Sequence, residues 1–370
     1  METNFNEKMS TFEKTYKLPF KFDIPNLTSD FLNNRLLIKA WLKFFRRWLY
    51  LTIYGQRSLE VKKILPEHNR ILWINLSAPS LGDSLMDLSS RVLIRNKTVD
   101  LFTDNKNSHI FEDDEVFSSV FTNKNDVESY KYDLVIIDSF SSRSVNVKFA
   151  IAPKTEYVAM FGFYNGPEVN RVLFSFHQMN NLLGYFKTEV EINKLAKSSI
   201  FISNYDNNLI KDLSLPDQYV SIALGGKWPH RTYDSWDRVI EHLIKLDINI
   251  NIVLVGSNNA MGHAKKIKER FKNHNITDLV GKYSFKQSAE IINGATLLLC
   301  CDGGLMHAAN SVETKIIAIF ARLRPEMQLT DSIQFSSVYD EIDVNNIPYE
   351  KLISCYKDFT MSDGSDPLVE

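Results

Sequence analysis

The chain has 370 residues and carries 43 Lys and Arg against 45 Asp and Glu, a formal net charge of -2 at pH 7. So even a balance excludes a global field that would hold nucleic acid, and any anionic partner must be met by a local patch. Hydrophobic residues make up 44%, charged residues 24% and aromatic residues 12%, which describes a soluble globular protein whose length suits two domains better than one core.

The first thirty or so residues, beginning METNFNEKMS, are polar, have no period and lack the apolar core of a signal peptide. They read as a loose arm. In LLIKAWLKFFRRWLYLTIYG, which follows, Leu36, Leu37, Ala40, Trp41, Phe44, Phe45, Trp48 and Leu49 recur at helical spacing, with Lys39, Lys43, Arg46 and Arg47 among them. Two readings are open: a basic, aromatic helix resting on an anionic membrane surface, or an extra helix packed on the adjacent domain. The breadth of the apolar stripe favours packing. No apolar run reaches the roughly 18 to 20 residues that a bilayer requires.

From Arg70 the texture changes. RILWINL is a short apolar run of the kind that forms a buried parallel strand, SAPSLGDS is a loop, and DSLMDLSSRVLI continues with helical spacing. TVDLF, YDLVIID and YVAMFGF read as further strands between polar or helical stretches. Residues 164–215, with the helical YFKTEVEINKLAKS, read as a crossover. A second alternating set runs from YVSIALGG through NINIVLVGS, DLVGKYS and TLLLCC to KIIAIFA, with helices between. The pattern predicts an α/β protein with two doubly wound parallel sheets facing a cleft, ligands lying at the carboxyl ends of the strands. The expected divisions are 1–68 for the arm and amphipathic helix, 69–205 and 206–335 for the two sheet domains, and 336–370 for a helical tail. Cys300, Cys301 and Cys355, two of them neighbours in an apolar run, suggest buried thiols in the reducing cytoplasm.

Three stretches carry chemistry. In CCDGGLMHAANSV a strand ends at Asp302, and Gly303 and Gly304 open a helix with His307 one turn in. Free backbone N–H groups and the positive end of a helix dipole suit a phosphate there, although a plain turn capped by Asp302 explains the stretch equally well. In GGKWPHRTYDSW, Gly225 and Gly226 form a second strand-to-helix turn, with positive charge from Lys227, Arg231 and His230. Lysine and arginine at such a mouth would clamp a diphosphate, while a solvated basic turn is the plainer reading. In SAPSLGDSLMD, Asp83 begins a helix, either as an N-cap or as a general base acting on a hydroxyl, with Asp87 a second candidate one turn on. No G-x-G-x-x-G follows RILWINL, YVSIAL or NINIVLV, which speaks against a dehydrogenase.

SLGDSLMDL, KWPH before a helix, and DGGLMHAA before KIIAIFA stand in the order and spacing found in bacterial lipopolysaccharide heptosyltransferases. Over roughly residues 70–335 the chain resembles that family, glycosyltransferase family 9. The resemblance implies the GT-B fold, with two Rossmann-like domains for acceptor and donor and the segment before Arg70 added. It implies inverting, metal-free transfer of a sugar from a nucleotide diphosphate, typically ADP-heptose, to a hydroxyl of a glycolipid or saccharide acceptor. No further cofactor and no nucleic acid are expected. Asp83 becomes the base and Lys227 a catalytic diphosphate clamp, while Gly225, Gly226, Asp302, Gly303, Gly304 and His307 become donor contacts. A peripheral place at the cytoplasmic face of the inner membrane goes with such an acceptor.

The chain also departs from the family. Gly226 stands where the family lysine usually does, and Gly303 replaces a serine or threonine. SNNAMGHA replaces a glutamate-rich stretch, and RLRPEM a Gly-Pro-Thr turn. A UDP- or GDP-sugar donor, a protein acceptor, or a catalytically silent sugar-nucleotide-binding scaffold therefore stay open.

Overall fold

Strands buried on both faces must be apolar along their whole length, and the short runs of this chain meet that demand. The computed structural model describes residues 34–128, 131–162 and 169–363; the N-terminal arm lies outside them, as do the side chains of Leu36, Leu37, Ala40, Trp41 and Phe44. The chain divides into two units, Met1–Ala196 and Lys197–Glu370.

The first unit holds β1 (Arg70–Asn75), β2 (Thr98–Thr103), β3 (Phe117–Phe121), β4 (Leu134–Ser139) and β5 (Tyr157–Gly162). Their order is β3-β2-β1-β4-β5 and every pair is parallel. The second unit holds β6 (Val220–Ala223), β7 (Ile252–Val255), β8 (Ile276–Asp278), β9 (Leu297–Cys301), β10 (Ile316–Ala321) and β11 (Phe335–Asp340), in the all-parallel order β11-β10-β9-β6-β7-β8. Each sheet grows outward from its first strand in one direction, then restarts on the other side. The order reverses between β1 and β4 in one sheet and between β6 and β9 in the other. In open α/β sheets a ligand crevice forms at that reversal, outside the carboxyl ends of the strands.

Side chains alternate through the second sheet. Cys301 packs with Ile222, Leu254 and Trp236 in one hydrophobic layer, while Cys300 packs with Val253, Ala318 and Met306 in the other. Both thiols are buried, and burial pushes both well above their ordinary range.

Beyond residue 335 the chain adds β11, in register with β10 from Ile316↔Phe335 to Ala321↔Asp340. The helix Tyr349–Asp363 then packs against the helix Trp236–Leu246, burying Leu352 and Ile353. The helix Asn34–Ile53 packs on the helix Ser142–Ile151, with Leu51 in the core beside Leu72 and Ile74. Just after it, Lys148 donates to the Gln56 side chain and Val61 N–H donates to the Tyr157 carbonyl. The packed reading of this helix therefore holds for its inner side. Among the described residues no helix is long and apolar enough to cross a membrane.

Candidate active site

The first reversal point is acidic. After β1 the chain turns through Ser80, whose hydroxyl caps the helix Leu81–Asp87 by accepting from Asp83 N–H. Asp83 is thus not the cap; it stands in the first turn, where its carboxylate accepts from the Ser80 hydroxyl. Arg171, from the helix Arg171–Leu182, reaches across with Nη1 3.3 Å from Asp83 Oδ1 and Nη2 2.7 Å from Asp87 Oδ2. Its guanidinium also lies 5.6 Å from the Phe161 ring centroid. The Asp87 side chain is fully buried, and its Oδ1 has no hydrogen-bond partner. Burial pushes its carboxyl up to about 7, with Asp83 and Asp138 adding to the rise and Arg171 opposing it.

Asp138, at the end of β4, clamps the loop that leads to Asp83. Its Oδ2 accepts from Leu76 N–H at 2.7 Å and from Ser77 N–H, and its Oδ1 accepts from the Ser144 hydroxyl at 2.6 Å. Ser84 in turn donates to Asn75 Oδ1 at 2.9 Å, which fixes the helix against the strand end. Asp83 is thereby a partly exposed carboxylate on a rigid mount. Arg171 and Asp138 escaped sequence reading because neither lies in a motif; an ionisable residue at the end of an apolar strand was the only available signal for Asp138.

The second reversal point is basic. β6 and β9 are neighbours, with Ile222 opposite Leu299, so the turns after them come together. Arg231, in the short turn Pro229–Arg231, sets Nη1 2.9 Å from the Asp302 Oδ2 atom, and the Asp302 side chain is almost wholly buried. Lys227 is exposed, with Nζ 5.6 Å from the Trp228 ring centroid. His230 is held below its ordinary pKa, chiefly by desolvation and then by Arg322 and Arg231. Arg322, in RLRPEM, is exposed and sits at φ 68°, left-handed backbone that a non-glycine residue adopts only under constraint.

The glycines sort into two kinds. A Cβ on Gly226 would stand 2.7 Å from the Arg231 carbonyl oxygen, and Gly225 at φ 80° has no room beside Ala260. These two let the protein's own backbone close up. Asn259, from SNNAMGHA, braces the same turn by donating to the Gly226 carbonyl at 2.9 Å. Gly303 is different: it is extended, at φ 172°, and a Cβ there would meet nothing nearer than 3.9 Å. Gly303 is the N-cap of the helix Gly304–Ser311 and has no side chain to satisfy that helix's first N–H groups. Of the two readings of Asp302, the cap is not formed: the helix has no side-chain cap, and Asp302 pairs with Arg231. His307 lies in the first helical turn and is buried.

A family model described as Glycosyltransferase family 9 (heptosyltransferase) matches residues 127–337. The chain belongs to glycosyltransferase family 9. Solved structures agree on the fold. The glycosyltransferase family 9 crystal structure from Veillonella parvula is 15% identical, covers 82% of this chain and 100% of its own, and superposes with a TM-score of 0.65. The E. coli ADP-heptose LPS heptosyltransferase II is 14% identical over 80% of this chain and 100% of its own, with a TM-score of 0.61. E. coli heptosyltransferase WaaC with ADP is 17% identical over 78% and 99%, with a TM-score of 0.60. No curated protein matches the chain. The family 9 fold is GT-B, as the resemblance implied, and the protein is a glycosyltransferase.

Proposed function

We propose that this glycosyltransferase moves a sugar, heptose in the first instance, from a nucleotide diphosphate to a hydroxyl of a glycolipid or lipopolysaccharide core, with inversion and without a metal ion. The observation that carries the reading is the pair of reversal points: a mounted, partly exposed carboxylate in one unit and an open, cation-lined N–H corner in the other. Asp83 takes the proton of the acceptor hydroxyl as its oxygen forms a bond to the anomeric carbon. The bond from that carbon to the diphosphate breaks, and negative charge gathers on the leaving oxygens. Lys227 and the exposed Arg322 meet that charge, and the unshielded backbone at Gly303 and Gly304 donates to it. Arg171 orients Asp83. ADP is the expected nucleotide, since WaaC is solved with it; an acceptor of this kind sets the protein peripherally at the cytoplasmic face of the inner membrane.

The test combines thermal-shift titration with ADP, UDP, GDP, CMP and TDP and a transfer assay from ADP-heptose. ADP at a hundred times its dissociation constant should stabilise the parent and Asp83→Asn alike, by about 2.7 kcal/mol. Transfer by Asp83→Asn should fall about 10²- to 10⁴-fold, the usual weight of a general base. Stabilisation by another nucleotide changes the donor, full activity in Asp83→Asn removes the base, and silence towards all five leaves a scaffold.

A further inference from the structure

The helix Asn34–Ile53 contains Arg35, Lys39, Lys43, Arg46 and Arg47 and no acidic residue. Leu51 turns inward. Leu42, Phe45, Leu49 and Ile53 are 54, 44, 40 and 71% exposed, and their spacing of three and four residues aligns them on one side of the helix, opposite Leu51. A helix packed only on its own domain would show polar residues on that side. Arg46 borders this strip, is exposed and makes no ion pair among the described residues. Lys43, three residues before Arg46, is exposed too and is held below its ordinary pKa by partial burial and by Arg47 and Arg46, so positive charge is crowded here.

A second copy of the chain is a poor occupant for this strip, because a self-complementary contact would bring Lys43 and Arg46 of two copies together. An anionic bilayer suits both features at once: apolar side chains enter the acyl boundary while the cations meet phosphate. We infer that the outward face of Asn34–Ile53 is a docking surface for an anionic lipid bilayer, with Leu42, Phe45, Leu49 and Ile53 immersed and Lys43 and Arg46 at the headgroup level. This deepens the reading of a glycolipid acceptor, although the surface is argued without it.

The experiment is co-sedimentation of the full chain with vesicles of phosphatidylglycerol and phosphatidylethanolamine, against vesicles of phosphatidylcholine alone. Binding is expected to the anionic vesicles and to weaken with salt. Leu49→Glu/Ile53→Glu should lower partitioning more than about a hundredfold, and Arg46→Glu about thirtyfold, with melting temperatures unchanged at these exposed positions. Failure of the parent to bind anionic vesicles overturns the inference. So does parental binding by either variant, or a concentration-dependent dimer that the double variant dissolves. Transfer to a lipid-free saccharide acceptor is measured in parallel. Both variants should keep the parental rate, and a parent that binds vesicles but transfers nothing would end the transferase reading while leaving the surface in place.

Discussion

At the reversal of the first sheet, three carboxylates, Asp83, Asp87 and Asp138, gather around Arg171 and the clamped loop after β1. At the reversal of the second, Arg231 pairs with one buried carboxylate, Asp302, Arg322 acts on the neighbouring His230, and Lys227 stands exposed in the turn after β6. The strand order that builds the two places is the same. Topology therefore fixes where a site can form, and the loops alone decide its charge. The acidic corner hides its most perturbed group, whereas the basic corner exposes two of its three cations. The proposed roles match that contrast: a proton acceptor gains from a fixed, partly dry setting, while a diphosphate has to be admitted from solvent.

The contrast is sharpest at Asp87. The folded protein holds a proton there up to about pH 7, which the unfolded chain releases near pH 4. Stability from this group is therefore fully present below pH 4 and is lost as the pH rises through 7. The expected loss is on the order of 4 kcal/mol. Asp87→Asn should remove that slope in melting curves taken from pH 4 to 8; an unchanged slope would show that the acidic corner does not bury a titrating group.

The two glycine kinds test the basic corner. Gly226→Ala should cost about 2 to 3 kcal/mol in denaturant unfolding, since the added carbon meets backbone. Gly303→Ala should leave unfolding unchanged and raise the donor KM, because its space is open to a ligand. The reverse pattern would make Gly303 the structural position. The smallest effect is expected at Arg322→Gly. Relief of the left-handed backbone should keep stability within about 1 kcal/mol of the parent, while the donor KM rises severalfold.

Much of this was legible in the sequence, and the omissions share a cause. The central strands announce themselves because both faces are buried, as in RILWINL and KIIAIFA. β3 and β11 are outer strands with mostly half-exposed residues, so FSSVF and FSSVYD carry no continuous apolar run. The segment from 336, expected to be a helical tail, shows how an outer strand disguises itself. At the two reversal points, Asp83, Lys227, Asp302 and Gly303 lie in motifs beside strand ends. Arg171 comes from a helix nearly ninety positions after Asp83, and only the packing of that helix on Leu81–Asp87 brings them together.

Adjacent on β9 yet facing opposite layers, Cys300 and Cys301 have a further use. Their side chains point away from each other, so they cannot close a disulfide within the folded sheet. A thiol reagent added to the native protein should meet only Cys355, which is partly exposed. The centre of the second sheet thus contains its own pair of chemical clocks: labelling of Cys300 and Cys301 would time the opening of its two hydrophobic layers separately, with no engineered probe.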